Sequence, residues 1–196
     1  MLDSIFEVIF LIGLILYLFG VYGPSARQYK KRRITDNRMR KLDIFLDGFT
    51  YMGWQVIPVI YVLTSWLDFA NYSLPVWAGR AGVVIFAATL FLLWKAYSDL
   101  GRNWSPTLQI TDNHLLVTQG IYQYIRHPIY AGLWLWGIAQ PLLLQNWIAG
   151  LGLLVTFFPL YFLRVPYEEK MMHETFGKEY QEYVDKTGQI IPRFWK

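Results

Sequence analysis

Five apolar runs constrain this chain before anything else does: about Ile5 to Tyr22, Ile44 to Trp66, Pro75 to Tyr97, Ile129 to Leu144 and Trp147 to Leu163. At ~1.5 Å rise per residue, helices of these lengths approach or cross the ~30 Å hydrocarbon core of a bilayer. The last two runs are short, and only Gln145 and Asn146 separate them, so they form a tight antiparallel hairpin. Composition points the same way: 16% of the residues are charged, against about a quarter in a soluble domain. The first run is preceded by Asp3 rather than by basic residues and followed by no small-x-small cleavage pattern, so it reads as a retained helix, not a signal peptide. With 196 residues there is room for one core and not two. The expected fold is all-α, a polytopic membrane bundle of five transmembrane helices.

Orientation follows from the basic residues. Residues 23–43 hold eight lysines and arginines, the stretch from Lys95 to Arg126 holds three, and the tail from Arg164 onward holds six. These 17 of 18 fall on one face, Arg80 being the exception, which puts the amino terminus outside and the carboxyl terminus in the cytoplasm. Trp66, Trp77, Trp94 and Trp147 lie near the ends of the runs, where indole rings anchor at lipid headgroups. Beside a membrane span, the basic run from Arg27 to Lys41 is a topology determinant or an anionic-lipid contact, and no nucleic-acid partner is expected.

Two polar segments are left, both on the cytoplasmic side: residues 98–127 and 164–196. The first is turn-rich, with Gly101, Asn103, Pro106, Asp112, Asn113 and Gly120; long connections of this kind are usually functional. In the second, Met171, Met172, Phe176, Tyr180 and Tyr183 recur at helical steps around a break at Gly177. That stripe either lies on the membrane surface or covers the first segment. The closing residues Ile190 to Lys196 read as an interfacial anchor.

Chemistry has few places to sit. The absence of cysteine excludes a thiolate nucleophile and any thiolate metal site, and three scattered histidines lack metal-ligand spacing. No glycine-rich phosphate loop or serine-histidine-acid arrangement is present. Arg164 and Glu168 are four residues apart at the end of the fifth run, on one face of a helix, with Glu169 adjacent. They are either a snorkelling arginine with an ordinary ion pair or an anionic site for a bound cation beside apolar surface. Pro166, between them, is expected to turn the helix at the membrane surface. The second cluster is Arg126-His127-Pro128-Ile129-Tyr130. Pro128 suits a first helical turn and leaves His127 at the cap, so the cluster is either a plain helix start or a helix terminus open to a carboxylate. Roles for Asp47 and Arg80 are not legible at this level.

The stretch from His114 to Gly132 (HLLVTQGIYQYIRHPIYAG), then RVPYEE at 164–169, FGKEYQEY at 176–183 and a closing IIPRF together resemble the isoprenylcysteine carboxyl methyltransferase family. The resemblance covers about residues 98–196, and it implies a catalytic half there and a three-helix amino-terminal portion over 5–97, within one membrane domain. It implies S-adenosyl-L-methionine as cofactor. The cofactor would be held by Gln109, by His114, Leu115, Leu116 and Val117, by Tyr122, by His127, Pro128, Ile129 and Tyr130, and by Glu168 and Glu169. It also makes Arg164 the residue that handles the methyl-accepting carboxylate, with Arg164 and Glu168 the catalytic pair. The partners implied are membrane lipids and a lipophilic, prenylated substrate entering from the bilayer, with the site on the cytoplasmic face. Phospholipid N-methyltransferases share the RHPxYxG pattern and paired glutamates, and membrane sterol reductases share the FGxxYxxY and terminal IIP segments more loosely. The competing functions are therefore phospholipid N-methylation, an NADPH-dependent sterol or lipid reductase, and a non-enzymatic lipid-binding protein.

Overall fold

Every apolar run is a helix in the structure, a computed structural model that describes residues 4–30, 34–105, 109–111 and 115–193. Ile5–Leu16, a π-helical stretch at Tyr17–Tyr22 and Gly23–Tyr29 form one continuous helix, α1. Its first turn is capped by the Ser4 hydroxyl, which accepts from the Glu7 N–H at 3.3 Å. Lys41–Tyr51, a second π-helical stretch at Met52–Val56 and Ile57–Leu63 form α2. Then come α3 (Val76–Leu100), α4 (Pro128–Leu144), α5 (Trp147–Phe176) and α6 (Lys178–Lys186).

Three of these helices, Ile5–Tyr29, Val76–Leu100 and Trp147–Phe176, are long and apolar enough to cross a membrane. Helix α2 has the length, but Asp43, Asp47 and Gln55 dilute its apolar character, and α4 has 17 residues. The expected turn at Pro166 does not interrupt α5, which runs through it to Phe176. The break comes where it was expected, at Gly177, whose φ of +54° is a left-handed conformation that favours glycine. A short antiparallel ribbon, absent from the expected all-α fold, joins β1 (Ile34–Asn37) to β2 (Gln109–Thr111), with Asp36 opposite Ile110 and Asn37 opposite Gln109. Three or four residues are too few to display the alternation by which strands are recognised.

Trp136 of α4 is the hub of the core. It is fully buried and meets Phe86 at 4.8 Å, Trp54 at 5.4 Å, Tyr17 at 5.5 Å and Phe10 at 6.2 Å, all near-perpendicular. Edge-to-face geometry of this kind suits the aromatic quadrupole. One indole thereby ties α1, α2 and α3 to α4.

At one end of the bundle, Asn146 joins the α4–α5 hairpin to the loop before α3. Its carbonyl accepts from Ile148 and Ala149 N–H at 3.0 and 2.9 Å, capping α5, while its amide donates to Leu67 O and Asn71 Oδ1, both at 2.7 Å. Trp66, Trp77 and Trp147 are exposed at this end. The basic segments gather at the other: Arg38 pairs with Glu174, Arg40 lies 4.1 Å over the Tyr167 ring, and Arg164 pairs with Asp47. Three contacts thus clasp residues 38–47 to the outer half of α5.

The second π-helical stretch meets α5 backbone to backbone. A β-carbon on Gly53 would lie 2.2 Å from Gly152 O, and Gln140 Nε2 donates to Gly53 O at 3.0 Å and to Ala149 O at 2.6 Å. Neither backbone can yield to a methyl group without separating the helices. Gly53→Ala is expected to cost about 1–3 kcal/mol, the usual penalty of overpacking, read as a lowered thermal midpoint of detergent-solubilised protein.

Candidate active site

The beginning of α4 is built as its sequence suggests. His127 is the N-cap and Pro128 the first helical residue, where a missing N–H costs nothing. What holds this turn in place lies about 60 residues on. Arg126 N–H donates to Gly188 O at 2.8 Å, His127 N–H to Gln189 O at 2.9 Å, and Gly188 N–H returns to Tyr124 O at 3.1 Å. The segment after α6 therefore braces the site through Gly188 and Gln189, just ahead of the closing residues read as an interfacial anchor, of which 194–196 lie outside the described residues.

The two glutamates of α5 follow one another in sequence and so leave the helix about 100° apart. Glu169 Oε1 accepts from Arg126 Nε at 3.1 Å and Nη2 at 2.9 Å and sits 3.2 Å from His127 Nε2. Arg126 Nη1 goes on to Thr187 O at 2.7 Å. Glu168 faces the other way and accepts from Tyr130 Oη at 2.8 Å. One turn back, Arg164 donates through Nη1 to Asp47 Oδ1 of α2.

Helix α6 closes the site from outside the bundle. The Tyr183 hydroxyl donates to Tyr122 O at 2.7 Å. Burial pushes the Tyr183 phenol above its ordinary value, so it stays a donor throughout the neutral range. Tyr180 packs edge-on against His173 at 4.8 Å. Through Tyr183 the apolar stripe of this tail covers the first polar segment.

Between these elements is a cavity of about 620 Å³, within the range of small-molecule sites. Of the residues singled out in sequence, Leu116, Val117, Tyr122, His127, Pro128, Ile129, Tyr130, Arg164 and Glu168 line it. Residues as far apart in sequence as Leu116 and Glu168 are brought to one wall. Glu169 does not line it and stands behind the wall, holding Arg126 and His127. Leu115 is 67% exposed and outside the lining, its N–H donating to Asn103 Oδ1 at 2.9 Å. Gln109 contributes backbone to β2, its side chain being outside the description, and His114 lies outside the described residues.

The remaining wall comes from the amino-terminal half, which sequence reasoning left without a role in the site: Tyr17, Asp47 and Trp54, with Tyr97 and Trp104 from farther along. Both π-helical stretches contribute, as such irregularities often do at functional sites. A signal was available for Asp47, since an ionisable residue inside an apolar run is a functional candidate by default. The aromatic residues carried none, being indistinguishable in sequence from core. The cavity therefore offers an anion beside a phenol (Glu168, Tyr130), a buried guanidinium (Arg164), a helix terminus and aromatic walls. That set suits a ligand carrying both charges on an apolar body.

A model of the isoprenylcysteine carboxyl methyltransferase family matches residues 80–174. A probable protein-S-isoprenylcysteine O-methyltransferase of Oryza sativa subsp. indica is 32% identical over 186 residues, 94% of each chain. The protein-S-isoprenylcysteine O-methyltransferase of Homo sapiens is 28% identical over 188 residues, 89% of this chain and 64% of that one. The solved structure of a eukaryotic intramembrane Ras methyltransferase, also an isoprenylcysteine carboxyl methyltransferase, aligns with a TM-score of 0.51 at 22% identity, over 81% of this chain and 54% of the other. That likeness concerns the fold.

Proposed function

This chain belongs to the isoprenylcysteine carboxyl methyltransferase family, and we propose that it transfers a methyl group from S-adenosylmethionine to the carboxylate of a prenylated cysteine, or of a similar lipophilic acid, at the cytoplasmic edge of a membrane. One observation carries the reading: Arg164 and Glu168, one turn apart on α5, face the same cavity as His127 and Tyr130 of the RHPIY segment. The cavity suits the cofactor in volume and in its groups. Glu168 answers a sulfonium cation, Leu116, Val117 and Met171 line a slot for an aromatic base, and the α4 terminus with His127 faces an amino-acid carboxylate.

When bound, S-adenosylmethionine supplies an electrophilic methyl on a cationic sulfur, which leaves as a neutral thioether once the carboxylate oxygen takes the methyl. The residues of this chain bind, align and exclude water. Arg164, held charged at any accessible pH, fixes the acceptor's carboxylate. Tyr130 fixes Glu168 by its 2.8 Å hydrogen bond. The acceptor is already ionised, so no base is required, and alignment supplies the rate. Because the step merges two opposite charges into neutral products, a site with little water favours it.

The same reading keeps five spans, with α2 and α4 crossing beside the three long apolar helices, the amino terminus outside, and the catalytic segments of 98–196 on the cytoplasmic side. The gathering of residues 38–47, 121–127 and 164–189 at one end of the bundle supports it. The test is binding and transfer by detergent-purified protein. S-adenosylhomocysteine should bind in the micromolar range and NADPH should not, and labelled methyl should pass to a farnesylated cysteine analogue. Binding of NADPH alone would move the assignment to the reductases, and binding of neither to a lipid-binding protein.

A further inference from the structure

The carboxyl methyltransferase reading gives Arg164 a substrate anion to hold, yet in the structure this guanidinium already donates to the carboxylate of Asp47. We propose that Asp47 is an internal stand-in for the acceptor's carboxylate: it neutralises Arg164 while the site is empty, gives way when the acid enters, and takes the arginine back once the product is a neutral ester. Asp47 is then a positioning and specificity-determining residue, acting through Arg164.

The two partners are unequally placed. The Arg164 side chain is 7% exposed and that of Asp47 36%. A buried guanidinium without a counter-ion is costly, so something must face Arg164 before substrate arrives. The partner able to leave is the one with access to water. Asp43, one turn earlier on α2, makes the contrast. It is 1% exposed and held by the Nε, Nη2 and backbone N–H of Arg40 at 3.0, 2.8 and 2.9 Å, so it cannot turn away. Asp47 lines the cavity with Arg164 and Glu168. Glu168 is engaged by Tyr130 and would face the cofactor's positive charge, leaving Asp47 as the carboxylate next to the acceptor's position.

Exchange keeps the charge at Arg164 constant, and this has a measurable consequence. In the wild-type enzyme an acidic ligand gains Arg164 but displaces Asp47, whereas a neutral isostere does neither. A farnesylated cysteine analogue as free acid and as primary amide should therefore bind wild-type protein within about threefold of each other, although an uncontested charged hydrogen bond discriminates by tenfold or more. Asp47→Asn removes the competitor, so the acid should bind about tenfold tighter than the amide, with KM for the acid falling about tenfold and kcat within about threefold of wild type.

A purely structural Asp47 would give the opposite split, with kcat falling and KM rising as Arg164 loses its orientation. The inference is overturned by that result, by an unchanged acid-to-amide ratio in Asp47→Asn, or by a wild-type enzyme that already prefers the acid tenfold. The last measurement needs no variant and stands even if Asp47→Asn fails to fold. Normal methyl transfer with any of these outcomes overturns the exchange alone. No transfer to, and no binding of, the acid would overturn the carboxyl methyltransferase reading and the exchange with it.

Discussion

Arg164→Ala is expected to lower methyl transfer by about a thousandfold, while affinity for S-adenosylhomocysteine stays within about threefold of wild type. The size of the effect comes from two losses that reinforce each other. Without the guanidinium the acceptor oxygen is no longer aligned with the methyl, a misplacement that can cost about a hundredfold, and each further 1.36 kcal/mol is tenfold in rate. The Asp47 carboxylate would then face the acceptor's carboxylate across the cavity with no cation between them. Arg164→Lys should recover little, because a point charge on a flexible stem does not reproduce a planar fork aimed at two oxygens. A paired variant, Arg164→Ala with Asp47→Ala, should bind the acid better than Arg164→Ala alone yet remain slow, since the repulsion is gone but nothing aligns the oxygen. Single-turnover rates with calorimetric affinities separate these effects. Wild-type turnover in Arg164→Ala would remove the arginine from the chemistry.

Features decided within a few residues were legible in advance. Pro128 has no N–H to lose, so it marks the start of α4 and puts His127 at the cap. Gly177 tolerates a positive φ, so the tail breaks there. Pro166 does not end the helix, because proline opposes one only through its own ring and the one hydrogen bond it removes. Inside a 30-residue helix whose flanking turns are packed, that local penalty is outweighed and α5 continues.

Features decided by contacts between distant residues were not legible. The pairing of β1 with β2, the bracing of His127 by residues 188–189, and the meeting of Arg164 with Asp47 each join positions about 60 to 117 apart in sequence. Nothing in the chemistry of either member names its partner. The resemblance to a known family supplied the cavity wall formed by residues 116–130 and 164–168. It was silent on the wall built from α1 and α2, where its motifs do not extend.

The adjacent glutamates are expected to fail in different ways, and the difference tests the orientation of the whole site. Glu168 faces the cavity and touches Tyr130; Glu169 faces away and neutralises Arg126, whose side chain is 10% exposed and ties the wall to Thr187. Glu168→Gln keeps the shape and removes one charge from the position assigned to the sulfonium. It should weaken S-adenosylmethionine about tenfold more than S-adenosylhomocysteine, because only the former is cationic there, with thermal stability changed by less than about 1 kcal/mol. Glu169→Ala strands a buried guanidinium and releases His127, so it should cost about 3 kcal/mol of stability and weaken both ligands alike, since neither ligand's charge is read by a residue behind the wall. The ratio of the two affinities is the decisive readout. Were Glu169→Ala to change that ratio and Glu168→Gln to leave it alone, the cofactor's sulfur would have to lie on the Arg126 side of α5, and the two carboxylates would exchange roles.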